Sequence, residues 1–211
     1  TRFSMPESAI GLFPDVGASL FLGRCPKSVA RLMGMTGHIL GATDCLLLGL
    51  ATAQVPGESL TGLKEKLLEC HVNEIDIIIK QFQCDAGQPL LTSQRPLIDD
   101  VFAGGSIESM RDRAVSLVEK MPENKLLCDI VKAFETRCPL SIKLFDRLLV
   151  ETDHLTDPVA AIELDFHLAL RMTKRADFAE GIRAIVIDKD RAPQWTPNSL
   201  EAVTETMLDA V

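Results

Sequence analysis

The sequence lacks any long uncharged stretch. Its longest run without Asp, Glu, Lys or Arg is Cys45–Gly57, 13 residues, and a helix needs about 20 apolar residues to cross a bilayer, so no transmembrane helix is expected. It also lacks an excess of positive charge: Lys and Arg number 22 against 30 Asp and Glu, for a net charge of −8. A broad nucleic-acid-binding surface needs a cationic face and is disfavoured, although a local basic pocket for a small phosphorylated ligand is not. The six cysteines (Cys25, Cys45, Cys70, Cys84, Cys128 and Cys138) contain no C-x-x-C pair. Free thiols in a reducing compartment are expected, not a disulfide framework. The histidines His38, His71, His154 and His167 show no metal-ligand spacing, so no metal site is expected. Repeats, a coiled-coil seam and low-complexity segments are missing too. The first residues, Thr1–Pro6, have neither an apolar core nor a small-residue cleavage site and do not read as a signal peptide. They read as the end of a short strand entering a loop, and a chain that starts in mid-pattern is expected to be a fragment of something longer.

What is present is the composition of an ordinary globular protein, with 46% apolar and 25% charged residues. The 211 residues suit one domain or at most two. A chain of this length buries about 70% of its unfolded surface and needs no covalent staple. Residues 1–24 carry glycine and proline turn punctuation among apolar residues, at Pro6, Gly11, Pro14, Gly17 and Gly23. A short helix is expected over 27–35 after Pro26, and another over 44–48 capped by Thr43. Ala51–Val55 alternates weakly before Pro56 and reads as one strand.

From Leu60 onward apolar residues recur every three or four positions, which places each set on one face of a helix. The sets are Leu60, Leu63, Leu67; Ile75, Ile78, Ile79, Phe82; Ile107, Met110, Ala114, Leu117; Leu127, Ile130, Val131, Phe134; Leu144, Phe145, Leu148, Leu149; and Val159, Ile162, Phe166, Ala169. Asn73 with Asp76 reads as a cap pair, Asp177 with Glu180 and Asn198 with Glu201 as capping boxes, and Asp157 before Pro158 as a helix start. Gln83–Gly105, with three glycines and two prolines, reads as a connecting loop. The chain is thus expected to be mostly α, with a loop-and-helix part over 1–57 and a helical part over 58–211. A lone strand needs a partner for its backbone groups, which implies a sheet supplied from elsewhere.

Chemistry is best placed in Met5–Gly17. Glu7 and Asp15 lie eight residues apart in an otherwise apolar segment. Carboxylates among apolar neighbours have raised pKa values, and two near each other are driven apart. One then suits proton transfer or nucleophilic work and the other substrate orientation. The plainer reading, turn and helix capping beside prolines, stays open at this point.

The segment Met5-Pro6-Glu7-Ser8-Ala9-Ile10-Gly11-Leu12-Phe13-Pro14-Asp15-Val16-Gly17 resembles the signature of the crotonase (enoyl-CoA hydratase/isomerase) superfamily. It is most similar to the 3-hydroxyisobutyryl-CoA hydrolase branch, where the form is M-P-E-T-A-I-G-L-F-P-D-V-G. Asp177-Phe178-Ala179-Glu180-Gly181-Ile182-Arg183-Ala184, then Ile187-Asp188-Lys189-Asp190, Pro193, Trp195 and Pro197, resemble that branch's C-terminal stretch. Weaker likenesses are Thr36-Gly37, Gly49-Leu50-Ala51-Thr52 and Cys138-Pro139-Leu140-Ser141.

The resemblance implies the C-terminal portion of an α/β crotonase-type spiral fold with a helical C-terminal region. It implies hydrolysis of a 3-hydroxyacyl-CoA thioester in valine breakdown, an acyl-CoA substrate, no separate cofactor, and a mitochondrial location. Glu7 matches the catalytic glutamate, acting on the thioester carbon or its attacking water. Asp15 matches the acid that binds the 3-hydroxyl and assists proton transfer. Gly11, Pro14 and Gly17 would hold both carboxyls toward one pocket. The family's oxyanion N–H donors come from glycine-rich loops upstream of this motif, so the missing N-terminal half would be needed and the isolated chain is expected to be inactive. Arg24 and Lys27 are weak candidates for CoA phosphates, with Arg31 clustered beside them and Lys143 and Arg147 on a later helix, and a solvated helix face is the plainer reading of each. Lys189 is expected to bridge its two flanking aspartates. The alternatives are a non-catalytic scaffold or assembly subunit and an enoyl-CoA hydratase/isomerase; association of copies through the helical region is a further expectation.

Overall fold

A computed structural model describes all residues, 1–211. Twelve α-helices carry the chain: α1 Ala18–Gly23, α2 Lys27–Thr36, α3 Ala42–Leu47, α4 Leu60–Glu69, α5 Ile75–Phe82, α6 Leu90–Val101, α7 Ile107–Lys120, α8 Lys125–Thr136, α9 Pro139–Glu151, α10 Pro158–Met172, α11 Ala176–Ile182 and α12 Glu205–Asp209. A 3₁₀ turn at Glu7–Ile10 carries the first of the candidate acids, and a π-helical turn spans Arg183–Ile187. Extended backbone pairs only at an isolated antiparallel bridge between Phe3 and Leu40, with N–H to O distances of 3.0 and 2.8 Å. The mostly α reading is what the structure has.

The chain forms two compact units, drawn along different lines from a cut at residue 57. One unit joins Thr1–Phe3 to Leu40–Gln94, and the other joins Ser4–Ile39 to Arg95–Val211.

In the first unit α4 and α5 pack as a hairpin without a single buried residue. Buried Asp44 ties α3 to the start of α6, its Oδ1 accepting the Leu91 N–H at 2.9 Å. The strand expected over 51–55 does not form; its one backbone link is the Cys84 N–H donating to the Gln54 carbonyl at 3.0 Å. Alternation alone makes no strand where no neighbour offers a ladder. Gly41, not Thr43, stands before α3, and its N–H reaches the Asp44 carboxylate at 3.4 Å. Likewise Glu74 accepts the His71 N–H at 2.9 Å, replacing the expected Asn73–Asp76 pair.

In the second unit α2 is buried from Val29 to Thr36 and packs on α8 and α9. Arg31 reaches from it to Asp146 at 2.7 Å and to the Phe102 carbonyl at 2.9 Å. A core of Phe13, Leu140, Leu144, Leu148, Met172, Trp195 and Leu208 joins the N-terminal motif to α9, α10 and the chain end. The helices start where their caps say: Ser106, Asn124 and Asp157 accept the N–H groups of Ser109, Leu127 and Val159 at 3.2, 3.2 and 3.0 Å.

Two expectations fail for instructive reasons. The presumed loop 83–105 contains α6, because Leu91, Ile98, Val101 and Phe102 bury a helical stripe and its Pro96 sits on the exposed side. On α10 the expected face is the wrong one. Val159, Ile162 and Phe166 are 54–62% exposed, while Ala161, Asp165, Leu168 and Met172 are buried. Both faces are apolar, so periodicity could not choose between them; a polar contact of Asp165 and the core contacts of Leu168 and Met172 do.

Candidate active site

Glu7 opens the 3₁₀ turn Glu7–Ile10, which Gly11 closes at φ +70°. That left-handed conformation suits glycine, and the backbone demands it twice over. A Cβ on Gly11 would lie 2.6 Å from the Asp177 carbonyl oxygen. Conversely, a Cβ on Gly181 in α11 would lie 2.4 Å from both Cα and the carbonyl carbon of Ile10. The two motifs from opposite ends of the chain therefore meet backbone to backbone through their glycines. On its other sides the turn is tied to α2 and α9. The Ser8 hydroxyl donates to the Met35 carbonyl at 3.1 Å, and the Ser8 carbonyl accepts the Cys138 N–H at 3.0 Å.

The half-buried Glu7 side chain has a buried Oε2 with no hydrogen-bond partner. Burial raises its pKa above the ordinary carboxylate value; its own backbone N–H opposes the rise, and the charge of Asp15 adds to it. Phe13 and Pro14 are buried and anchor the next turn, on which Asp15 is half-buried. Val16 and Gly17 both take positive φ, +55° and +79°. A β-branched residue pays about 1–3 kcal/mol of strain there, so something must hold the turn. The Asp15 carbonyl accepts the Ala18 N–H at 3.0 Å, and the Gly17 N–H donates to Asp165 Oδ2 at 2.6 Å.

Asp165 is the residue that sequence reading missed. It lies on the buried side of α10, is 3% exposed, and its Oδ1 has no partner. Burial pushes its pKa up to about 6, against the pull of the Gly17 N–H and with the help of Asp15's charge. A signal was available: with Ala161, Leu168 and Met172 it forms a 4-3-4 stripe in which it is the only polar member.

The structure thus joins Glu7, Asp15 and Asp165 through the charge of Asp15, on a frame set by Gly11, Pro14 and Gly17. The basic candidates fare unevenly. Arg24, after α1, and Lys27, opening α2, are exposed and pair with no carboxylate. Lys143 is engaged by Glu108 at 2.6 Å, and Arg147 by Glu151 and Asp209 at 2.7 and 2.6 Å. None of the six cysteines forms a disulfide. No group of three or more His, Cys, Asp or Glu is arranged to hold a metal ion.

A family model described as enoyl-CoA hydratase/isomerase matches residues 1–211. The chain belongs to the enoyl-CoA hydratase/isomerase family. Among curated relatives it is 35% identical to "Probable 3-hydroxyisobutyryl-CoA hydrolase 2" of Arabidopsis thaliana, over 99% of this chain and 57% of that protein. It is 30% identical to "3-hydroxyisobutyryl-CoA hydrolase, mitochondrial" of Xenopus laevis, over 100% of this chain and 55% of that protein. The chain spans little more than half the length of these relatives. Among solved structures, an enoyl-CoA hydratase from Rhodobacter sphaeroides 2.4.1 is 29% identical with a TM-score of 0.84, over 99% of this chain and 58% of that one. A carnitinyl-CoA dehydratase from Mycobacterium thermoresistibile has the same fold, with a TM-score of 0.87 at 22% identity, over 100% of this chain and 58% of that one. This member of the enoyl-CoA hydratase/isomerase family is the largely helical portion of a crotonase-type fold.

In this family member the second motif works as a clasp. Arg183 holds Glu180 with two bonds of 2.8 Å and reaches Asp188 and Asp190 at 2.7 and 2.6 Å. Arg183, not Lys189, bridges the two aspartates; Lys189 is exposed, sits at φ +59° and pairs with neither. Asp177 does not cap α11 with Glu180 either. Its Oδ1 accepts the Thr196 N–H at 2.7 Å, and Glu180 is spent on Arg183 and the Gln194 N–H. Asn198–Glu201 begins no helix; Glu201 pairs with Arg111 at 2.6 Å. Trp195 closes the clasp, its indole N–H donating to the Thr136 carbonyl at 2.9 Å.

Proposed function

We propose that the protein carrying this chain hydrolyses a 3-hydroxyacyl-CoA thioester, namely 3-hydroxyisobutyryl-CoA, within mitochondrial valine breakdown. The observation that carries the reading is the desolvated, partnerless Oε2 of Glu7 beside Asp15. The names of the curated relatives support the substrate, and the animal relatives support the compartment. Water adds to the thioester carbonyl, the C–S bond breaks and CoA leaves as its thiol. Glu7 acts on the thioester carbon or on the attacking water. Asp15 binds the 3-hydroxyl and assists the proton transfer. Gly11, Pro14 and Gly17 shape the turn, and Arg24 and Lys27 offer cations to the CoA phosphates. The reaction calls for no cofactor beyond the CoA of the substrate.

The test is thiol release from 3-hydroxyisobutyryl-CoA by the complete protein, with crotonyl-CoA hydration measured alongside. Cleavage that falls about 10²–10⁴-fold in Glu7→Gln is expected. Hydration of crotonyl-CoA without thioester cleavage would make the protein a hydratase, and neither activity would favour a scaffold. The isolated 211 residues are expected to cleave far more slowly than the complete protein. The resemblance puts the oxyanion donors outside them, and losing one donor costs about 10²–10³ in rate.

A further inference from the structure

Asp165 has no part in the chemistry proposed above, yet it is a nearly fully buried acid with one oxygen committed to the Asp15 turn and the other to nothing. A buried carboxylate is a costly tether for a backbone N–H, which a neutral residue could satisfy more cheaply. What the charge adds is strength, since a charge-assisted bond is roughly twice as strong as a neutral one. The turn it holds needs that strength. Val16 and Gly17 are both left-handed, and Val16 is exposed and held by no packing of its own.

We propose that Asp165 is a positioning residue for the candidate active site: its carboxylate takes the Gly17 N–H, locks the Val16–Gly17 turn, and so holds Asp15 in place against Glu7. The consequence for catalysis rests on the hydrolase reading; the tether itself does not. Because Asp165 ionises at about pH 6, the tether is at full strength only above that pH. Asp15 is the charged group that acts on Asp165. Helix α1, packed on α10, carries no titratable side chain. Of the groups on the elements sharing its core, Arg147 is taken by Glu151 and Asp209, Arg171 by the Val211 carbonyl, and the Cys138 thiol is held protonated by burial.

The experiment uses the complete protein as wild type, Asp165→Asn and Asp165→Leu. Asn keeps an acceptor oxygen of the same shape and removes the charge, so it mimics protonated Asp165 at every pH. The ratio of wild-type to Asp165→Asn kcat/KM is expected to be about tenfold at pH 8 and to fall toward one below pH 5. Asp165→Leu is expected to be slower than Asp165→Asn throughout. In parallel, the Gly17 amide resonance of ¹⁵N-labelled protein should titrate near pH 6 in wild type and stay flat in Asp165→Asn. A merely structural Asp165 would give a pH-independent ratio, and that result, or a flat Gly17 amide in wild type, overturns the proposal. If the Gly17 amide titrates as expected while wild type cleaves no thioester, the tether stands and the hydrolase reading fails.

Discussion

Gly181→Ala is the sharpest test of how the site is assembled. In an exposed helix interior this change gains up to about 1 kcal/mol, because glycine is the poorer helix former. Here the new methyl would sit 2.4 Å from Cα and the carbonyl carbon of Ile10, whereas ordinary contact begins at 3.4 Å. The obstacle is backbone, so no side chain can swing aside. Either α11 or the Glu7 turn must move by about 1 Å. Overpacking of this kind costs about 1–3 kcal/mol, and a backbone obstacle puts it at the upper end. Net of the helix gain, the variant should lose about 2 kcal/mol, which lowers Tm by about 2–4 °C in a complete protein nearly twice as long as this chain. The same displacement carries Glu7 with it, and misplacing a reacting group by 1 Å costs on the order of 10² in rate. Thermal melts and thiol release on the complete protein read both effects. Gly23→Ala is the control: at the end of α1 a Cβ meets nothing within 4 Å, so a gain of about 0.4–1 kcal/mol is expected. A Gly181→Ala protein that melts at or above the parent and keeps its turnover would refute the backbone-to-backbone account.

Further predictions concern charge. Asp165 binds its proton more tightly folded than unfolded, since its pKa rises from 3.8 to about 6. The stabilisation it lends is therefore present below about pH 4 and lost as pH rises through about 6; urea titrations should show the stability of wild type relative to Asp165→Asn falling by about 2 kcal/mol from pH 4 to pH 7. A difference that does not change with pH would contradict this. Arg31→Met should destabilise by about 3–5 kcal/mol in denaturant unfolding, because it leaves the largely buried Asp146 and the Phe102 carbonyl without their donor; adding Asp146→Leu should recover much of the loss. Replacing Arg24 and Lys27 together by Ala should raise KM for the CoA thioester several-fold and leave kcat unchanged, and an unchanged KM would remove both from the phosphate site.

Much of this architecture is legible in the order of residues. Period-3.6 apolar spacing marks α7, α8 and α9, and Asp157-Pro158 marks the start of α10, because local periodicity and caps are properties of a few consecutive residues. Five positions of the candidate site, Glu7, Gly11, Pro14, Asp15 and Gly17, fall within Met5–Gly17, where two acids stand in an apolar setting punctuated by glycine and proline. Tertiary structure alone decided the rest. Helix α10 is apolar on two sides, and only its contacts with Gly17 and the core turn Asp165 inward. Arg183 rather than Lys189 gathers Asp188 and Asp190, because the chain folds both aspartates within 2.7 Å of its guanidinium. Helix α6 runs through a proline because its buried stripe outweighs one missing N–H. The nearness of Gly11 to Gly181 joins residues 170 positions apart, and no local rule can register it. Sequence alone determined most of the helical segments and the acids Glu7 and Asp15; packing determined that α6 forms, which face is buried, which carboxyl is desolvated and which backbone segments touch, since each depends on residues far apart in the chain.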